Sequence, residues 1–423
     1  MELKVDVSSE LSGTVKAPPS KSYTHRAVIV AALADGISEI RDPLVAEDTL
    51  SSVEACRAFG VDIEGSEKWS VTGSGGELET PDDVVYLGNS GTTLRIMTSV
   101  AGLAENYTVL TGDESLRTRP MQPLLDALKL LGVEAVSSRM NGLPPVIIRG
   151  GFRGGETSID GSLSSQFISS ILIAAPLSEG VDLKVEGEFI SRPYVDMTLD
   201  VMEKFSVPVE YSDGVFSVEP SRYRGRKYTV EGDYSSASYL AGAVAVAGGE
   251  VRIENLFRDS RQGDRIILDI IREMGADVVL GDDHVVVSST GELSGVQVDL
   301  HDAPDLLPTV AVLGALADGR TEIRGVEHAR YKETDRIRTC ATELGKLGVD
   351  VKELRDGMVI EGGVRGGVVS SHGDHRLAMA FTLIGLREGI TIMDGEVFSV
   401  SFPDFPERMR SIGCRINLPA LNI

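Results

Sequence analysis

The chain has 423 residues, 42% of them hydrophobic, enough to fill two sizeable cores. Its 64 acidic and 41 basic residues leave a net charge of −23, and such a surface repels nucleic acid and anionic membranes, so neither is expected as a partner. Anionic substrates stay open only if basic side chains are gathered locally. Cys56, Cys340 and Cys414 are few and far apart, which argues against a disulfide framework or a zinc site and for a reducing compartment. The opening stretch MELKVDVSSELSG is charged and alternating, without the apolar centre of a signal peptide, and no apolar run nears the ~20 residues of a membrane span. A cytoplasmic protein is expected.

Read in chain order, the sequence repeats one unit six times. Strongly apolar helices are predicted over SYTHRAVIVAALADG, SGTTLRIMTSVAGLAE, SSQFISSILIAAPLSEG, SSASYLAGAVAVAGG, DLLPTVAVLGALADG and DHRLAMAFTLIGLREG. Each runs into a predicted strand: ISEIRD, YTVLTGD, VDLKVEG, EVRIENL, TEIRGVE and ITIMDGE. The helices are apolar on most faces, so burial is predicted for all six. A second helix in each unit ends in a turn and a short strand: FGVDI, LGVEA, FSVPV, MGADV, LGVDV and IGCRI. The second residue of these strings falls at 60, 132, 206, 275, 348 and 413, intervals of 72, 74, 69, 73 and 65 residues. Glycine suits that place because a helix C-terminus often needs a left-handed residue; Ser206 breaks the rule. Three units per half give two similar domains, with a seam expected near the polar, basic stretch RYRGRKYTVEG, residues 222–232.

Polar residues crowd the N-terminal ends of the apolar helices. They are Lys21, Ser22 and Arg26; Asn89, Ser90, Gly91, Thr92 and Arg95; Ser164, Ser165 and Gln166; Asp305; and Asp374, His375 and Arg376. A helix N-terminus offers free N–H groups and partial positive charge to anions, and Lys and Arg add charge-assisted hydrogen bonds to phosphate and carboxylate. Any one of these Ser, Asn or Asp residues is more often an ordinary cap; their recurrence in five units points to a multi-anion site. LRTRPM adds Arg117 and Arg119. YKETDRIRT, with Lys332, Glu333, Asp335, Arg336 and Arg338, reads either as part of that site or as a solvated helix start with alternating charges.

The strings PSKSYTHRA, LGNSGTTLR, LRTRPM, SSQFISS, SRPYVDMTL, PDLLPTVAVL, YKETDRIRTCATELGKLG and GDHRLAMAF, in order over nearly the whole chain, resemble the 5-enolpyruvylshikimate 3-phosphate synthase family. The resemblance implies an α/β (α+β) fold of two similar domains, each three βαβαββ repeats with buried parallel helices, an inside-out α/β barrel. The implied domains are residues 1–14 with 229–423, and 15–228, closing on substrates in a cleft. The implied reaction moves the enolpyruvyl group of phosphoenolpyruvate to the 5-hydroxyl of shikimate 3-phosphate by addition and elimination, as a step of the shikimate pathway toward aromatic amino acids. No cofactor or metal is implied, and a monomer is expected.

The resemblance also implies ligands. Shikimate 3-phosphate would be held by Lys21, Ser22, Arg26, Ser164, Ser165, Gln166, Ser191, Asp305 and Lys332. Phosphoenolpyruvate would be held by Lys21, Gly91, Arg119, Gln166, Arg336 and Arg376. Asp305 is the expected acceptor of the hydroxyl proton; Glu333 and Lys21 both remain candidates for the proton chemistry at C3 and the bridging oxygen. Arg192 and Tyr194 lie in the matching SRPY segment. Two positions depart from the family pattern: His328 stands where an Asn is usual, and Val400 where a Lys is usual. Two other readings compete. The sibling UDP-N-acetylglucosamine enolpyruvyl transferase typically carries a cysteine in the loop that here reads LTGDESLRTRP. A non-catalytic phospho-ligand binding protein would be expected to lack Asp305, Glu333 or Lys21.

Overall fold

The computed structural model describes residues 1–418. Twelve α-helices occur among them: α1 (Lys21–Leu33), α2 (Glu47–Ala58), α3 (Gly91–Ala101), α4 (Gln122–Leu130), α5 (Ser165–Ala174), α6 (Arg192–Lys204), α7 (Tyr234–Ala247), α8 (Ile267–Glu273), α9 (Leu307–Leu316), α10 (Arg336–Lys346), α11 (His375–Glu388) and α12 (Phe405–Ser411). The odd-numbered helices are the six apolar segments. Every residue of α9 is buried, as is all of α7 except its last residue. They have no polar stripe because they have no solvent face. The even-numbered helices bury one side only, as in α4, where Leu124, Leu125, Ala127 and Leu128 face inward.

The chain divides into two compact units, Met1–Pro18 with Glu231–Ile423, and Pro19–Val230. The unit Pro19–Val230 contains α1 to α6, with α3 packed on α5 and α1 packed on α2 and α6. In the other unit α7, α9 and α11 pack against one another. Each unit has its own continuous apolar core. No helix among the described residues is long and apolar enough to cross a membrane.

Among the described residues there are six four-stranded sheets, one per repeat. The fifth repeat shows the pattern without interruption. Its first strand, Gln297–Asp299, lies parallel to Arg320–Arg324 with Val298 opposite Ile323. Gly357–Glu361 then inserts antiparallel between Arg320–Arg324 and Asp350–Leu354. The parallel pair needs a buried crossover helix, here α9, while the antiparallel pair closes through a tight turn. Three repeats borrow a strand from elsewhere in the chain. Lys227–Thr229 supplies the first strand of repeat one, parallel to Ile37–Arg41. Leu11–Lys16 does the same for repeat four, parallel to Gly249–Glu254. Leu3–Asp6 completes repeat six between Ile390–Met393 and Arg415–Asn417.

The repeated turn after each even-numbered helix is left-handed throughout. Gly60, Gly132, Gly275, Gly348 and Gly413 all have positive φ, and so does Ser206, at 72°. The serine does not change the turn; it adopts the glycine conformation and bears the Cβ crowding that goes with it.

Candidate active site

In the unit Pro19–Val230 the starts of α1, α3 and α5 carry most of the polar side chains expected to bind ligand. Ser20 caps α1, its hydroxyl accepting from the Tyr23 N–H at 3.4 Å. Lys21, first in the helix, places its ammonium 2.8 Å from Asp48 Oδ2 at the start of α2. Arg26, one turn further in, is 1% exposed. It donates through Nε to Thr198 at 2.7 Å, through Nη1 to the Ser22 carbonyl at 2.9 Å and through Nη2 to the Tyr194 carbonyl at 2.9 Å. Burial lowers its pKa to about 10 against the opposing influence of nearby tyrosines, so it remains a cation under all ordinary conditions. Arg26 is thus a strut joining α1 to α6 as well as a candidate ligand. The side chain of Ser22 is partly exposed at the same helix start.

The start of α3 is built for close approach. A Cβ added at Gly91 would lie 2.5 Å from Arg119 Nη1, so the arginine passes directly over the bare backbone there. Arg119 also donates to Asn89 Oδ1, and Asn89 Nδ2 in turn donates to Asp113 at 2.8 Å. Arg117 points outward and is exposed. At the start of α5, Ser164 caps the helix through the Gln166 N–H. Gln166 is held at both ends of its amide: Nε2 donates to Thr92 Oγ1 at 3.0 Å, and Oε1 accepts from Arg95 Nη1 at 2.5 Å. Arg95 lies over the Phe167 ring, 5.1 Å from its centre. Ser165 is buried beside Ser164. Ser191, the residue before α6, is buried with a left-handed φ of 53°. Arg192 is half exposed and lies over the rings of Phe189 and Tyr211.

In the other unit a compact charge cluster joins the starts of α7, α9, α10 and α11. Arg336, 1% exposed, contacts three carboxylates. Its Nη1 reaches Asp305 Oδ1 at 2.9 Å, Nη2 reaches Glu333 Oε2 at 2.7 Å and Nε reaches Asp374 Oδ2 at 2.8 Å. Burial alone would lower its pKa, but Asp374, then Glu333 and Asp305, outweigh that and raise it. Arg376 donates through Nη2 to Asp305 Oδ2 at 2.8 Å and through Nη1 to the Ser235 hydroxyl at the start of α7. Lys332 Nζ lies 3.7 Å from Asp305 Oδ1. Asp374 is fully buried and caps α11 through the Arg376 N–H at 2.9 Å. It orients Arg336 with one face and the backbone of Arg376 with the other. The alternating charges of YKETDRIRT therefore divide: Arg336 is buried in the cluster, while Arg338 is 70% exposed beside Glu353.

Of the two departures, His328 lies near Lys332 and Asp305 of this cluster. His328 lies in a 3₁₀ turn, Glu327–Tyr331, and burial, with Lys332 and His301 adding to it, lowers its pKa to about 3. It is a neutral polar group there. Val400 ends another 3₁₀ turn, Gly395–Val400, and adds no charge. Among the described residues no cluster of His, Cys, Asp or Glu is arranged to hold a metal ion.

Residues 5–409 match the family model for EPSP synthase (3-phosphoshikimate 1-carboxyvinyltransferase). The chain belongs to the EPSP synthase family. It is 80% identical over 418 residues to the 3-phosphoshikimate 1-carboxyvinyltransferase of Methanothermobacter thermautotrophicus, covering 99% of this chain and 100% of that protein. The enzyme of the same name from Methanobrevibacter smithii is 56% identical over 437 residues, again covering 99% and 100%. Among solved structures, EPSP synthase from Acinetobacter baumannii superposes with a TM-score of 0.84 at 28% identity, covering 99% of this chain and 100% of that one. The enolpyruvyl transferase NikO from Streptomyces tendae, at TM-score 0.76 and 19% identity, shares the fold. As a member of the EPSP synthase family the chain is a 3-phosphoshikimate 1-carboxyvinyltransferase, and the two competing readings give way.

Several supporting residues went unassigned from sequence. Asp48, which pairs with Lys21, lies in a stretch with no motif. Thr92 and Arg95 were visible only as polar residues, and their grip on Gln166 needs α3 beside α5. His25, Ser52, Thr93 and Ser90 form a buried hydrogen-bonded chain. Their signal was faint: Lys21 and His25 are one helical turn apart, and so are their partners Asp48 and Ser52.

Proposed function

We propose that the helix-end residues described above carry the transfer of the enolpyruvyl group from phosphoenolpyruvate to shikimate 3-phosphate. The observation that supports this most is the gathering of Arg336, Arg376 and Lys332 around Asp305, in a protein with net charge −23. Fixed cations beside a carboxylate are what a reaction of two anions at a neutral hydroxyl requires. Ser164, Ser165 and Ser191 take the phosphate of shikimate 3-phosphate, Lys21, Ser22 and Arg26 its other polar groups, and Asp305 and Lys332 its hydroxyls. Gly91, Arg119, Arg336 and Arg376 take the carboxylate and phosphate of phosphoenolpyruvate, and Lys21 and Gln166 face both substrates.

Chemistry then proceeds in two stages. The 5-hydroxyl oxygen bonds to C2 of phosphoenolpyruvate as Asp305 receives the hydroxyl proton and C3 gains a proton. The tetrahedral adduct breaks its C2–O bond to phosphate and loses a proton from C3, which restores the double bond. Glu333, bound to Arg336, and Lys21, bound to Asp48, are the groups available for the C3 and bridging-oxygen protons. Donors already fixed in place, such as Arg336, hold the phosphate and carboxylate that flank the cationic C2 without reorganising. No cofactor or metal enters the scheme.

The test is phosphate release from phosphoenolpyruvate with shikimate 3-phosphate as acceptor, run beside UDP-N-acetylglucosamine. Release with the first acceptor alone is expected. Release only with the sugar nucleotide, or with neither, would overturn the reading.

A further inference from the structure

Three helices meet through one buried polar chain. His25 Nδ1 in α1 is 2.8 Å from the Ser52 hydroxyl in α2. Ser52 is 2.7 Å from the Thr93 hydroxyl in α3, and Thr93 is 2.7 Å from Ser90. All four side chains are completely buried. His25 Nε2 has no hydrogen-bond partner, so the ring is oriented by its Nδ1 side alone.

The position of this chain gives it a task. One turn above His25 on α1 is Lys21, and one turn above Ser52 on α2 is Asp48; these two make the ion pair at the mouth of the site. The helices are therefore joined at two levels. From Ser52 the chain continues to Thr93, two residues beyond Gly91. Ser90 stands at the capping position of α3, yet its side chain caps no backbone N–H; its hydroxyl is bonded to Thr93 instead. That leaves the first N–H groups of α3 uncapped by Ser90, at the glycine that Arg119 overlies.

We infer that His25 is a positioning residue: through Ser52 and Thr93 it fixes the Gly91 end of α3 relative to Lys21, and so sets the spacing of the groups that receive phosphoenolpyruvate. The inference rests on the proposed ligand roles of Lys21, Gly91 and Arg119. The phosphate pocket for shikimate 3-phosphate, at Ser164, Ser165 and Ser191, is built on α5 and α6 and is not reached by the chain.

The experiment compares steady-state kinetics of the parent, His25→Leu and His25→Asn, with phosphate release as the assay. Leucine fills the space but cannot bond Ser52. It should raise KM for phosphoenolpyruvate about tenfold and leave KM for shikimate 3-phosphate within about twofold. Asparagine places an amide near the former Nδ1, so it should return the phosphoenolpyruvate KM to within about threefold of the parent. If His25→Leu does not fold, Ser52→Ala and Thr93→Val break the same chain at smaller side chains and should give the same selective rise. An unchanged phosphoenolpyruvate KM in the variants that fold, or a parallel rise for both substrates, overturns the inference while an active parent leaves the transferase reading standing. A parent without turnover overturns the reading and the inference together.

Discussion

Mild acid should destabilise the unit Pro19–Val230, chiefly through His25. The imidazole is completely buried, and burial, with smaller effects from Lys21 and Arg26, outweighs the pull of Asp48 and lowers its pKa from 6.5 to about 3. The unfolded chain titrates near the ordinary value, so between the two values the unfolded state binds more protons than the folded one. Stability from this group is therefore complete above the unfolded value and falls as pH drops toward the folded one. Moving from about pH 7.5 to about pH 5 crosses roughly 1.5 pH units of that window, a loss of about 2 kcal/mol. Carboxylates in the same unit interfere little. Asp160, held low by the Ser162 hydroxyl and amide, and Glu39, held low by Arg41, lose their contribution only as pH falls through the ordinary carboxylate range. Trp69 makes the measurement local: it is the single tryptophan of the chain, 2% exposed, and lies in this unit. Urea unfolding followed by its fluorescence at the two pH values, for the parent and for His25→Asn, isolates the effect. The variant should lose about 2 kcal/mol less than the parent on acidification. Equal losses in the two proteins, within about 0.5 kcal/mol, would refute the account of His25 as a buried neutral base.

Asp305→Asn should lower turnover by about 10²–10⁴-fold, since the amide cannot take the hydroxyl proton. Affinity for shikimate 3-phosphate, measured by calorimetry on the same preparation, should change far less; collapse of both would make Asp305 an anchor instead. Gly91→Ala should fold normally, because only the flexible end of Arg119 must shift, but it should weaken inhibition by bulkier phosphoenolpyruvate analogues such as glyphosate more than it raises KM for the substrate. Equal inhibition constants in parent and variant would count against the placement. Ser206→Gly, at an exposed left-handed turn, should stabilise the protein by about 0.5–1 kcal/mol, read as a higher urea midpoint; a lower midpoint would mean the serine makes compensating contacts.

Periodicity and composition alone determined much of this protein. Six helices apolar on most faces had to be interior, because few orientations leave them a wet side, and six turns at near-regular intervals had to be one motif repeated. The polar residues at the apolar helix starts were visible for the same reason: they interrupt sequence that is otherwise uniformly greasy. Tertiary structure decided what local sequence does not encode. Leu3–Asp6, Leu11–Lys16 and Lys227–Thr229 complete sheets whose other strands lie far away in the chain, and strand pairing at such distances leaves no local period to read. Whether YKETDRIRT was a solvated helix start or part of a site depended on Asp305 and Asp374, 31 and 38 residues from Arg336, arriving at the same guanidinium. His25 looked like one more residue of an apolar helix. Only the packing of α1 against α2, and the hydrogen bond from α2 to α3, turned it into the buried end of a chain linking three helices, because a hydrogen bond between side chains exists only once the backbones that carry them have been brought together.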